Sequence, residues 1–362
     1  MRCYVVKRQE LQNNIRRIRA QAGNTIIWGV LKGNGYGIGC VEMARLLLAS
    51  GIDRFAVTDI AEAQALRQAG FSDTPILMLE NTCDPRKLTQ LLDWNCIPTV
   101  GSREDAVQLN FLGLKRSTPV PVHVKIDTGM GRFGFLPEQL DEILRLFTFL
   151  PGITVAGIYT HFSSAASPSV TRRQFNQFQA AVARIRQAGF HPGMVHCCNS
   201  TAFWNYPHMR LDGVRLGSCL LGRVLWAERA GLIRIGHCQA TVEEVRWIPA
   251  GHTVGYGCGW RARHPTRIAV LDIGYFHGFG IQRGFDLWRV SDCLRGAARY
   301  IKALFRKKVL YVQLNSHTCR VLGHVGMVNT VIDVTHCPCQ PGDTATVDIN
   351  PLLLKGMEIT YQ

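Results

Sequence analysis

Up to about residue 220, short apolar runs alternate with longer stretches in which apolar positions recur every three or four residues. The runs Ile26 to Lys32, Phe55 to Thr58, Ile76 to Leu79, Ile97 to Val100, Val122 to Asp127, Val155 to His161, Met194 to Ser200 and Val214 to Ser218 read as buried strands. Between them, CVEMARLLLASG, DIAEAQALRQAG, DPRKLTQLLDW, EDAVQLNFLG, LPEQLDEILRLF and RRQFNQFQAAVARIRQAG read as amphipathic helices, several closing on Gly. Eight such alternations predict a (β/α)8 barrel rather than an open doubly wound sheet, whose GxGxxG fingerprint is missing from the first turn. Beyond about residue 225 the helical period gives way to Thr-, Val- and Gly-rich alternation, as in CQATVEEVRWIPAGHTVGYG, RIAVLDIGY, VLGHVGMVNTVIDV and DTATVDI. The expected division is a barrel over residues 1–225 and a mostly β domain over 226–362, with a basic insertion around 280–310.

Composition changes this picture little. The chain has 362 residues and is 47% hydrophobic, enough for a large core. No window has the apolar length to span a bilayer, and MRCYVVKRQE lacks the apolar region of a signal peptide, so a cytoplasmic protein is expected. The thirteen cysteines are scattered, and most read as small buried thiols. His196-Cys197-Cys198 does not suggest a metal site, because neighbours in a strand point to opposite faces. His336-Cys337-Pro338-Cys339 has no second pair at zinc-finger spacing, so no metal is expected there either.

The net charge of +15 is partly local. Between 283 and 308 stand Arg283, Arg289, Arg295, Arg299, Lys302, Arg306, Lys307 and Lys308 against Asp286 and Asp292. Leu287, Trp288, Leu294, Ala297, Ala298, Ile301 and Leu304 interleave with them, a spacing that suits an amphipathic helix basic on one side. A solvated charged face is the first reading, membrane-surface or partner docking the second. Specific nucleic-acid recognition is not expected.

Candidate chemistry starts at Lys32 in WGVLKGNGYGIG, where an apolar run ends in a lysine followed by glycines. A lysine at a barrel mouth is partly desolvated, and desolvation favours the free amine that condenses with aldehydes. A surface lysine after a strand is the plain alternative. Other chemistry-bearing residues also fall at predicted strand ends, where barrel sites gather: Asp127 after the fifth, His161 after the sixth, and Asn199 and Ser200 after the seventh. Arg215 lies inside the eighth, in the apolar run VRLGSCLLG, where an unpaired charge is costly.

KGNGYG, HVKIDTGMGRFGF, GIYTHFSSA, HCCNSTAF, DGVRLGSCLLG, VGYGCGW with IAVLDIGYFHGF, and GHVGMVNTVIDV follow one another in an order that resembles the alanine racemase family. The resemblance spans most of Ile26 to Asp333 and weakens before it, over 280–320 and in the last thirty residues. It implies pyridoxal 5'-phosphate held by Lys32, with Tyr36, Asn199, Ser200, Gly217 and Ser218 around the cofactor and its phosphate; a helix N-cap is the structural alternative for Ser200. It implies Arg215 opposite the pyridine nitrogen and His161 in a network with it. It further implies two bases, Lys32 and Tyr256 of the neighbouring subunit, hence a homodimer with shared sites. Arg132, Tyr275 and Met327 match positions near the substrate, and Lys125 matches a lysine that is often carbamylated.

Two departures bear on substrate. Met327 is followed by Val328 where the family has Asp, and Asn350-Pro351 stands about where a C-terminal tyrosine touches the phosphate, as in the serine-racemising branch. The implied activity is racemisation of a small amino acid, L-alanine to D-alanine first, for cell-wall precursor supply. Serine or a broader range of amino acids comes next, and a degenerate paralogue that binds cofactor without turnover is a further alternative. A decarboxylase of the same architecture is disfavoured because it calls for an acidic partner where this chain has Arg215; a barrel-only cofactor carrier is disfavoured by the β domain.

Overall fold

The computed structural model describes residues 2–224, 227–281, 290–305 and 309–362. The chain forms two compact units, Arg8–Ile235 and Met1–Lys7 with Gly236–Gln362.

In the first unit all eight predicted strands form: Ile26–Val30, Arg54–Val57, Ile76–Met78, Thr99–Val100, Val120–Lys125, Ile153–Tyr159, Met194–Cys198 and Gly213–Leu216. Each pairs in parallel with its neighbours, and the last returns to the first through Ile26↔Gly213 to Gly29↔Leu216. The third and fourth strands meet at a bridge, Leu77↔Ile97, where Met78 N–H donates to Ile97 O at 2.9 Å and Ile97 N–H to Ile76 O at 2.8 Å. The ring is thus a nearly closed barrel. Its helices start where side chains satisfy the first N–H groups. Asp59 with Glu62 caps Ile60–Gln68, and Ser102 with Asp105 caps Arg103–Lys115.

The second unit is mostly β, built on an eight-stranded sheet whose longest strand is Gly236–Ile248. Ile248, Val254, Ala262, Ile268 and Leu322 form an apolar cluster in it. The division differs from the expected one at both ends of the barrel. Cys3–Val6 lies in the β unit, antiparallel to Gly236–Ile248 and parallel to Glu358–Tyr361, and buries Tyr4, Val5 and Val6. The barrel unit runs on past 225 to Ile235, because the buried Asn14 side chain fastens that segment. Asn14 donates to Leu220 O at 3.0 Å and Ile233 O at 2.7 Å and accepts from Ile233 N–H at 2.9 Å.

The expected amphipathic helix of the basic insertion is present as Val290–Phe305. Arg283, Asp286, Leu287, Trp288, Arg289, Arg306, Lys307 and Lys308 lie outside the described residues. Among the described residues no helix is long and apolar enough to cross a membrane.

Candidate active site

Lys32 leaves the first strand into an unusual turn. Gly33, Asn34, Gly35 and Tyr36 have φ of 63°, 53°, 64° and 58°, four successive residues in the left-handed region. That conformation costs about 1–2 kcal/mol for each residue bearing a Cβ, so Asn34 and Tyr36 need support. Gly35 N–H donates to Leu31 O at 2.7 Å and Gly37 N–H to Gly33 O at 2.9 Å. Asn34 is braced on both sides, its N–H donating to Glu62 Oε1 at 2.9 Å and its Oδ1 accepting from Cys40 N–H at 2.9 Å. Glu62 Oε2 also takes the N–H groups of Thr58 and Asp59, so one buried carboxylate ties the Lys32 turn to the end of the next strand.

The turn returns Tyr36 to the same cavity as Lys32. This cavity, about 200 Å³, is lined by Val30, Lys32, Tyr36, Leu79, His161, Asn199, Ser200, Thr201, Arg215, Gly217 and Ser218. Lys32 and the seven other residues expected around the cofactor therefore converge. A Cβ on Gly217 would lie 2.1 Å from Tyr36 Oη, so only glycine admits the phenol there. Ser200 Oγ accepts from Gly217 N–H at 3.1 Å and Cys219 N–H at 3.3 Å, which leaves its own proton to donate. Asn199, not Ser200, caps the short helix Ser200–Asn205, its Oδ1 accepting from the N–H groups of Thr201 and Ala202.

Arg215 is buried at 3% exposure. Its Nη1 donates to His196 Nδ1 at 2.7 Å and its Nη2 to Thr160 O at 2.7 Å, with longer contacts to the carbonyls of His196 and Cys197 and to His161 Nδ1. The guanidinium also lies 4.7 Å from the centroid of the Tyr159 ring. Among the described residues no carboxylate bonds to it, and Nε–H has no protein acceptor.

The chain of bonds continues inward. His196 accepts at Nδ1, so its proton is on Nε2, which donates to His123 Nδ1 at 2.9 Å. Both imidazoles are neutral. Burial and then the Arg215 charge push His123 down to about 3 and hold His196 and His161 well below the usual histidine range. His196 stacks on Tyr159 with centroids 4.9 Å apart, and Tyr159 Oη is 2.9 Å from Thr99 Oγ1. The sequence alone singles out neither His123 nor Tyr159 and brings in His196 only as a candidate metal ligand. Their signal was polar residues at alternate positions of apolar strands, as in His123 and Lys125, which is how an inward-facing barrel layer is written.

Beside this column Lys125 is buried, its Nζ 5.1 Å from the Phe133 centroid and 5.6 Å from that of Tyr159. Burial, then Arg215 and Arg132, lower it to about 8. Lys32 is half-buried and is also lowered, chiefly by burial and then by Arg132. Asp127 organises the following loop by accepting from four successive N–H groups, Gly129 to Arg132, at 2.7–3.1 Å. Arg132 itself is exposed.

The remaining candidates lie in the β unit and are exposed: Tyr256 at 82%, Tyr275 at 49% and Met327 at 52%. Tyr275 and Met327 come together, because Tyr275 N–H donates to Gly326 O and Phe276 N–H to Met327 O, each at 2.9 Å. Asn350 caps the turn Pro351–Leu353 by accepting from Leu352 N–H.

The expectation for the adjacent cysteines needs correction. A register shift between His196 and Cys198 breaks the strand alternation, and both thiols donate to Met209 O, at 3.0 and 3.2 Å. Among the described residues no group of three His, Cys, Asp or Glu side chains could hold a metal ion.

Comparison with known proteins accords with this geometry. The model of the alanine racemase N-terminal domain matches residues 6–224 and that of the C-terminal domain residues 235–351. An alanine racemase of Desulforamulus reducens is 36% identical over 280 residues, 75% of this chain and 75% of that protein. The structure of alanine racemase from Clostridium difficile 630 superposes with a TM-score of 0.83 at 26% identity, covering 100% of this chain and 95% of that one. The alanine racemase structure from Bartonella henselae, with covalently bound pyridoxal phosphate, has a TM-score of 0.82 at 21% identity and covers 100% and 99%. With both domain models matched in order along a barrel and a β unit, the chain belongs to the alanine racemase family.

Proposed function

We propose that the chain interconverts L- and D-alanine with pyridoxal 5'-phosphate held at Lys32, supplying D-alanine for cell-wall precursors. The observation that carries the reading is the buried Arg215, with both terminal nitrogens engaged and Nε–H left as a donor in the cavity that holds Lys32. A decarboxylase would call for an acidic group there.

The donor set fits the cofactor. Tyr36, Ser200 and the backbone at Gly217 and Ser218 offer hydroxyl and N–H donors to a phosphate dianion. Arg215 offers a proton it does not surrender, so a ring nitrogen opposite it stays unprotonated. When bound, pyridoxal phosphate supplies the aldehyde that an amine can hold and the conjugated ring that accepts an electron pair from Cα.

The lowered pKa of Lys32 raises its free-amine fraction, and Nζ is the group that takes the substrate Cα proton on its face or returns it. Racemisation needs a second group on the opposite face. Tyr256 of a second copy of the chain fills that role in this reading, and its exposure leaves it available to another molecule. A homodimer with shared sites follows. Arg132 binds the substrate carboxylate; Tyr275 and Met327 flank its entry. Lys125 adds carbon dioxide through its free amine, releasing one proton and becoming an anionic carbamate beside Arg132. Its lowering to about 8 supports this step. The neutral, exposed Val328 beside Met327 makes L-serine the second substrate to assay.

The test is a chiral assay of the cofactor-loaded protein with L-alanine in deuterated water. The expected result is D-alanine carrying deuterium at Cα. Absence of both enantiomer and label, for alanine and for a panel of amino acids, overturns the proposal.

A further inference from the structure

The helix Val290–Phe305 is seated the wrong way round for an ordinary surface helix. Val290, Leu294 and Ile301, spaced four and seven residues apart, fall on one stripe and are 77%, 66% and 54% exposed. The covered side is the other one. Gly296 is buried and Asp292 and Ala303 half-buried, again at spacings of four and seven. A surface helix of a globular protein turns its apolar stripe inward; this one rests on small and polar residues and turns the stripe to solvent. Lys302 and Arg295 stand on the flank between that stripe and the covered side. We infer that this helix is a membrane-docking element, lying in the plane of an anionic lipid surface with Val290, Leu294 and Ile301 inserted among the acyl chains and the basic border on the headgroups.

Three observations favour lipid over other occupants. Sixteen residues of helix reach about 24 Å, too short to cross a bilayer and suited to lying on it. A second copy of the chain would bring the same positive border against itself, on a protein already at +15. A nucleic acid would engage the basic border and leave the apolar stripe in water. An anionic lipid surface satisfies both at once.

The experiment is co-sedimentation of the full-length, cofactor-loaded protein with vesicles of equal parts phosphatidylglycerol and phosphatidylcholine, and with phosphatidylcholine alone. We expect binding to the anionic vesicles only, with a fraction that survives raised salt because the apolar stripe is buried. Leu294→Ser with Ile301→Ser should weaken binding by at least about tenfold, and Arg295→Glu with Lys302→Glu by a similar factor. Racemase turnover should stay unchanged in both, which also reports that the variants fold. Failure of the wild-type protein to bind anionic vesicles overturns the proposal without recourse to any variant. So does binding that Leu294→Ser with Ile301→Ser leaves intact, or that salt removes entirely, since either assigns the charge alone and any polyanion would serve. A smaller assembly for the Leu294→Ser, Ile301→Ser protein in sedimentation velocity, without lipid, would assign the stripe to a second copy and also overturn it.

Discussion

The two units carry their chemistry in opposite ways. The barrel buries Arg215, His123 and His196 in one bonded column with Lys125 beside it, while Arg132 alone of its candidates is exposed. The β unit holds its candidates outside, on turns, with Tyr256 more exposed than any other large aromatic side chain described. Buried groups have fixed partners and are finished within one chain. Exposed ones have few fixed partners, and in the proposed reading their chemistry is completed by a second copy of the chain.

Substitutions at the two ends of this contrast should differ in kind. The largest effect is expected for Lys32→Ala, which should lower racemisation by at least about a thousandfold and abolish the visible absorption of lysine-bound cofactor. Tyr256→Phe should lower turnover by about a hundredfold or more while leaving that absorption and the melting temperature unchanged. Mixing the two inactive proteins under conditions that allow subunit exchange should restore about a quarter of wild-type activity, because half the dimers then contain one intact site. No recovery in exchanged dimers would place Tyr256 and Lys32 of one chain in the same site and remove the contrast.

Arg215→Gln should act inside the barrel on both scales. It leaves His196 Nδ1 and buried carbonyls short of donors, a loss of about 2–3 kcal/mol in chemical unfolding, and it should also reduce turnover. Acid should destabilise the barrel next. The folded-state pKa values of His123, His161 and His196 lie below their unfolded values, so the unfolded chain binds more protons below about pH 6.5. Stability therefore falls with decreasing pH from that point, down to about pH 3 for His123, by about 1.4 kcal/mol per unit and per histidine; His123→Gln should flatten the slope. A further effect is on the alkaline side. Lys125 at about 8 binds fewer protons than the unfolded lysine up to about 10.5, so in buffer free of carbon dioxide stability should rise over that window. Lys125→Met should remove the rise.

The sequence made the barrel legible because each strand is a short apolar run followed by a helix with capping residues, a local pattern that tertiary packing reinforces. It made the cavity legible because Lys32, Tyr36, His161, Asn199, Ser200, Gly217 and Ser218 sit at or just past strand ends, and Arg215 within the last strand, where the fold brings them together. What escaped notice depended on non-local bonding or on backbone geometry. Cys3–Val6 is a strand because two distant segments bond to it, and nothing within CYVV announces them. The left-handed turn at Gly33 to Tyr36 needs the carboxylate of Glu62, twenty-eight positions beyond Asn34. The common direction of Cys197 and Cys198 follows from a bulge that alternation alone cannot foresee.

The placement of Arg215 among carbonyls and neutral rings leaves the heart of the barrel with a permanent positive charge and, among the described residues, no acid bonded to it. An anionic ligand in the same cavity would offset that charge, as the phosphate of the proposed cofactor would. Loading would then consolidate the fold as well as equip it, raising the melting temperature in step with free ligand concentration. On that reading, a cell short of the vitamin would hold less of this protein intact, not merely less of it active.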